Sequence, residues 1–262
     1  MNNLILSNPI ISSLIISFAI NTLFFFFAYS LKTDKVTDLS YSLTFFILTS
    51  LFFIINSKNI LSSQLIVGLS IILWSIRLGS YLLIRIVKMG RDKRFDSRRD
   101  DFIEFMKFWI IQAAGVWFIM LPFSLYLSKT GVVVSFPLFS IGLCIGLLGL
   151  IIETISDIQK FNFKSKEVNA NKWIETGLWK YSRHPNYLGE LMFWWGLFIS
   201  IFNNLNGLEY LTILGPVTIT LLIVFVTGIP LLEKNYNERY KDNEEYKRYK
   251  SSTNKLFFTF KK

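Results

Sequence analysis

Asn186 and Glu190 stand four residues apart in "GLWKYSRHPNYLGE", residues 177–190, with Tyr187 between them and Arg183 and the only histidine of the chain, His184, just before. On a helix, a spacing of four puts the amide and the acid on one face, one turn apart. Pro185 suits the first helical position, where its missing N–H is no loss. The helix start then offers unpaired backbone N–H groups beside Arg183 and His184, a site for a phosphate or carboxylate. The plainer alternative is a basic helix end resting on lipid phosphates.

Two other stretches carry the same kind of stripe. Arg77, Tyr81 and Arg85 are spaced by four, and Glu153, Asp157, Lys160 and Lys164 by four, three and four. Each set lies inside or at the end of an apolar run. Ionisable groups at membrane depth are costly and mark either a function or an interhelical pair. One such stripe is explained by helix pairing and snorkelling; three exceed what pairing alone needs. Other chemistries are excluded. No serine or cysteine nucleophile is patterned with His184, one histidine and one cysteine rule out a His/Cys metal centre, and no G-x-G-x-x-G turn is present.

The elements that must position these residues are membrane helices. The chain is 52% hydrophobic with 26 Phe, more than a domain burying one face of each element needs. The apolar residues fall in runs near the roughly 20 residues that cross a bilayer core. Seven spans are predicted, over 4–30, 40–56, 60–87, 104–127, 132–157, 186–203 and 208–231. The N-terminal run lacks a basic flank and a cleavage site, and reads as a retained helix. The charge behind the net +10 sits mostly in the short segments between runs, which argues against nucleic acid. Twenty-four of the 28 Lys and Arg residues, counting Lys107 at the start of span four, fall in the segments after spans one, three, five and seven. That places the N-terminus outside and the C-terminus in the cytoplasm. The expectation is one all-α domain, a polytopic helix bundle in the lipid bilayer, with a polar tail over 232–262.

"GLWKYSRHPNYLGE" followed by "WWG" resembles the signature of the DUF1295 family of membrane proteins, which is grouped with the C-terminal domain of the steroid 5-alpha-reductases and, further off, the sterol C14 and C7 reductases. "WSIRLGSYLLIR", "GRDKRFDSRR" and "ETISDIQKFNFK" look like further blocks of the same family. The R-H-P block is shared with isoprenylcysteine carboxyl methyltransferases.

The resemblance implies a multi-helix reductase that takes NADPH to a lipophilic enone. It implies that Asn186 and Glu190 contact the nicotinamide end, that Glu153 and Asp157 help to hold the cofactor, that Arg77 and Tyr81 belong to the same site, and that Tyr240 meets the adenosine half. Trp74 stands where the steroid reductases have a carbonyl-polarising tyrosine, and the nearest polar groups on the second helix are Asp38 and Tyr41. Arg91, Arg94, Lys172, Arg183 and His184 are the cations placed for phosphates, with Tyr187 beside them. Asp38, Tyr41 or Tyr81 donates a proton, and Glu190 orients the nicotinamide. Two other functions remain: a methyltransferase using S-adenosylmethionine on a lipid or prenyl carboxylate, and a non-catalytic lipid-binding protein. The expected location is a bacterial inner membrane or the endoplasmic reticulum. A lipophilic small molecule is the expected substrate, and no protein partner is indicated.

Overall fold

The structure is a computed structural model that describes residues 7–90, 92, 95, 96 and 98–259, with only the backbone of Met89. Arg91 and Arg94, two of the expected phosphate-binding cations, lie outside the described residues. Among the described residues the regular structure is helical apart from one isolated bridge, Ser182 to Asn254. The main helices are α1 (Pro9–Ser30), α2 (Thr37–Ile55), α3 (Ser62–Met89), α4 (Phe102–Ser128), α5 (Phe136–Lys164), α6 (Pro185–Ile201), α7 (Leu214–Leu221), α8 (Ile229–Arg239) and α9 (Glu244–Ser252).

Among the described residues, six helical stretches are long and apolar enough to cross a membrane: Pro9–Ser30, Thr37–Ile55, Ser62–Lys88, Phe102–Ser128, Phe136–Lys164 and Gly207–Arg239. The chain is therefore an all-helical membrane protein. The seventh expected span is α6. It has 17 residues, which at about 1.5 Å per residue falls short of a core of about 30 Å. A 3-10 turn, Phe202–Asn204, prolongs it by about 6 Å. The last stretch is not one straight helix. A 3-10 segment leads into α7, a π-helical turn at Leu222–Val226 follows, and the chain breaks at Thr227 and Gly228 before α8.

The chain forms two compact units, each drawn from separate stretches of sequence: Met1–Phe139 with Ile201–Gly215, and Ser140–Ser200 with Pro216–Lys262. In the first unit α1 packs on α4 and α2 on α3. A polar seam joins α1, α2 and α4. Gln112 Nε2 donates to Asn21 Oδ1 and Ser40 Oγ, both at 2.9 Å, and Asn21 Nδ2 donates to Ser17 O at 2.9 Å. Such bonds hold membrane helices together where the hydrophobic effect does not. Asp101 starts α4 by accepting from the N–H groups of Ile103 and Glu104. Buried Asp34 ties the preceding loop down, accepting from Asp92 N and pairing with Arg99 at 3.2 Å.

Candidate functional site

The second unit is built on a glycine seam. Gly142, Gly146 and Gly149 of α5 face Gly189 and Gly196 of α6. A Cβ on Gly149 would sit 2.5 Å from Gly189 O, and one on Gly196 would sit 2.3 Å from Gly146 N. Only glycine lets the two backbones touch in this way. One turn beyond Gly149 on α5 comes Glu153, whose backbone N would lie 2.5 Å from a Cβ on Gly189. A further turn on comes Asp157, and there Asn186 Nδ2 of α6 donates to Asp157 Oδ1 at 3.3 Å. The seam thus delivers two buried acids of α5, Glu153 and Asp157, to the helix that carries Asn186 and Glu190. A carboxylate only accepts, so Asp157 fixes which end of the amide faces it. Asn186 Oδ1 is left buried without a hydrogen-bond partner among the described residues.

The turn before α6 is clamped by the C-terminal segment. Arg183 grips Glu233 of α8 with two bonds, Nε to Oε1 at 3.0 Å and Nη2 to Oε2 at 3.2 Å. Its Nη1 donates to the carbonyls of Lys250 and Thr253 at 2.7 and 2.5 Å, at the end of α9 where helix carbonyls lack partners. Backbone pairing continues the clamp. Arg183 N donates to Asn254 O, Thr259 N donates to Tyr181 O, and Ser182 Oγ donates to Leu256 O. Four of the five guanidinium N–H groups are therefore committed within the protein. Arg183 is a strap on the tail, where the sequence placed a phosphate ligand.

His184 is 1% exposed, and its Nε2 lies 2.9 Å from Glu233 Oε1. Its ring stacks on Tyr187 at 5.8 Å. Nδ1 is buried with no hydrogen-bond partner among the described residues. Burial pushes the imidazole below its ordinary value, helped by the positive charges of Lys160 and Arg183 and opposed by Glu233. In the pH range between that lowered value and 6.5, the unfolded chain binds a proton that the folded chain refuses. Stability is therefore full above about 6.5 and falls as pH drops through this window, by at most about 1.4 kcal/mol per pH unit. Because His184 is the only histidine, the melting temperature should decline from pH 7.5 to 5.5 in the native chain, and His184→Phe should flatten that decline.

The tail itself is held by aromatic packing. Trp173 meets Tyr240 and Tyr246, each at 5.2 Å between ring centroids. Tyr249 Oη donates to Trp179 O at 2.8 Å, and Trp179 Nε1 donates to Ser156 O of α5 at 3.1 Å. Tyr240 is buried in this cluster, and burial raises its phenol above the ordinary value. Gly177 begins the turn at φ 62°, and Gln159 Oε1 accepts from Leu178 N. Lys172 is exposed.

The remaining expected residues belong to the first unit. Asp38 of α2 pairs with Arg85 of α3 at 2.7 Å, the geometry of an interhelical ion pair. Tyr41 meets Phe45 edge-on at 5.1 Å and lies 6.4 Å from the buried ring of Trp74. Tyr81 lies under the Arg85 guanidinium at 5.9 Å. Arg77 is half-buried on α3, one turn before Tyr81. Sequence reasoning missed Glu233 as the centre of the clamp, and missed the glycine seam. The seam had a signal, the G-x-x-x-G of residues 142–146. Glu233 had a weaker one, a lone acid closing the run "GIPLLE".

The fold and this cluster define a helical membrane protein with a buried acid–amide site beside a tail-clamped R-H-P-N turn. Residues 24–253 match the family described as "Protein of unknown function (DUF1295)", and the chain belongs to that family. No curated protein and no solved structure matches the chain.

Proposed function

We propose that the protein is an integral membrane oxidoreductase that moves a hydride from NADPH to an activated C=C of a lipophilic substrate. The observation that carries this reading is the buried, partnerless Oδ1 of Asn186, fixed by Asp157 on a helix that also presents Glu190. An acceptor of that kind fits a carboxamide N–H, and the nicotinamide end of the cofactor has one. NADPH supplies the hydride. Asn186 and Glu190 orient the carboxamide, and Asp157 holds Asn186 in place. Among the described residues Lys172 is an exposed cation available to the phosphates, while Arg183 is committed to the tail. A proton from solvent completes the reduction. The charge count puts the C-terminal clamp and this site on the cytoplasmic side, where NADPH is found.

One observation favours a second reading. Glu153, Asp157 and Glu190 make the neighbourhood of Asn186 acidic, and acids suit the positive charges of S-adenosylmethionine better than the anions of a dinucleotide. Calorimetry on the purified protein separates the two. NADPH should bind saturably and S-adenosylmethionine should not. Glu190→Gln should weaken NADPH roughly ten- to a hundredfold, since a charge-assisted bond contributes about 1.5–3 kcal/mol. The melting temperature of the ligand-free variant should stay close to that of the native chain. Saturable binding of S-adenosylmethionine without NADPH binding replaces the reductase with a methyltransferase. A lower melting temperature with unchanged NADPH affinity removes Glu190 from the site.

A further inference from the structure

The two buried atoms that lack partners in the R-H-P-N turn are both hydrogen-bond acceptors, and they lie two residues apart. For Asn186 this follows from Asp157, which takes the amide N–H and leaves the oxygen. For His184 it follows from Glu233. Its Oε1 already receives Arg183 Nε at 3.0 Å and lies 2.9 Å from His184 Nε2. A carboxylate oxygen paired with a guanidinium offers only lone pairs, so Nε2 must bring the proton. A neutral imidazole has one N–H, and Nδ1 is then a bare lone pair. The pKa shift agrees, since burial disfavours the doubly protonated ring. The groups around the ring are Glu233 of α8, Arg183 of the same turn, Lys160 of α5 and Tyr187 of α6.

We propose that Glu233 is a positioning residue that locks His184 as the Nε2–H tautomer, so that Nδ1 is left as an acceptor for a ligand –NH2 or –NH3+ group. Burying an acceptor without a donor is unfavourable, and such a group relieves it. This deepens the reductase reading, on which the group is the nicotinamide carboxamide. The amino group of S-adenosylmethionine is the other source of the same chemistry.

Because the chain has a single histidine, selective 15N-histidine labelling of the full-length protein in detergent micelles reports this one ring without ambiguity. Couplings to the ring carbon-bound protons tell its two nitrogens apart. Without ligand, Nε2 should give the protonated, pyrrole-type signal and Nδ1 the unprotonated, pyridine-type signal. NADPH should move the Nδ1 signal. The reduced 3-acetylpyridine analogue, in which a methyl replaces the carboxamide –NH2, should leave it in place and bind roughly tenfold more weakly. Glu233→Gln, whose amide can donate to Nε2, should populate the Nδ1–H tautomer, a change that a merely structural Glu233 would not cause. A pyrrole-type Nδ1 in the free native protein overturns the proposal, and so does an Nδ1 signal that neither NADPH nor S-adenosylmethionine moves. If S-adenosylmethionine alone binds and moves it, the acceptor role of Nδ1 stands and the reductase reading falls.

Discussion

Arg183→Ala should destabilise the protein by about 3–5 kcal/mol and release the tail, because it leaves Glu233 without its cation. The side chains of Arg183 and Glu233 are only 10% and 11% exposed. The substitution also strips the Lys250 and Thr253 carbonyls of their donor. Lysine should rescue little. Its single ammonium cannot reproduce a two-pronged grip on a carboxylate together with two carbonyl bonds. Limited trypsinolysis provides the measurement. In the native protein, sites after Lys247, Arg248 and Lys250 should be slow to cut, and in the alanine variant they should be cut early. A variant whose tail resists trypsin as the native chain does, at an unchanged melting temperature, would show that the aromatic cluster around Trp173 holds the tail without Arg183.

Gly189→Ala should be nearly as damaging, although it adds one methyl group. In an exposed helix the exchange is favourable by about 1 kcal/mol. Here the new Cβ would lie 2.5 Å from both Gly149 O and Glu153 N. Those are backbone atoms that cannot rotate away, so the helices must part. Overpacking of this kind costs about 1–3 kcal/mol or more, which outweighs the gain in propensity. Parting α5 from α6 also moves Asp157 off Asn186, so ligand binding should be lost along with stability. As a control, Gly131→Ala should leave binding intact, because no atom lies within 4 Å of a Cβ there and only the φ of 69° is strained. Thermal melts and ligand titrations on the two variants test the contrast. Equal losses in both would mean that the seam is not what assembles the site.

Local pattern settled a good deal of this protein. Apolar runs of about 20 residues gave its all-helical membrane class, because a bilayer admits few other ways of pairing every backbone N–H. The spacing of four between Asn186 and Glu190, and between Glu153 and Asp157, gave their shared helix faces, because 3.6 residues make a turn. The motif blocks pointed to the DUF1295 family, and residues 24–253 match it. Contacts between distant parts of the chain were decided by packing. Arg183 looked like an anion ligand because it stands at the start of a helix with unpaired N–H groups, while its partner, Glu233, lies 50 residues away. The tautomer of His184 depends on that same carboxylate. No linker interrupts the chain in sequence, and only packing sorts its helices into two compact units, with residues 201–215 returning to the first. The glycines decide where Asp157 meets Asn186, but only once the backbones of α5 and α6 touch. Periodicity tells which way a side chain faces on its own helix; what it faces is fixed by which helices close against each other.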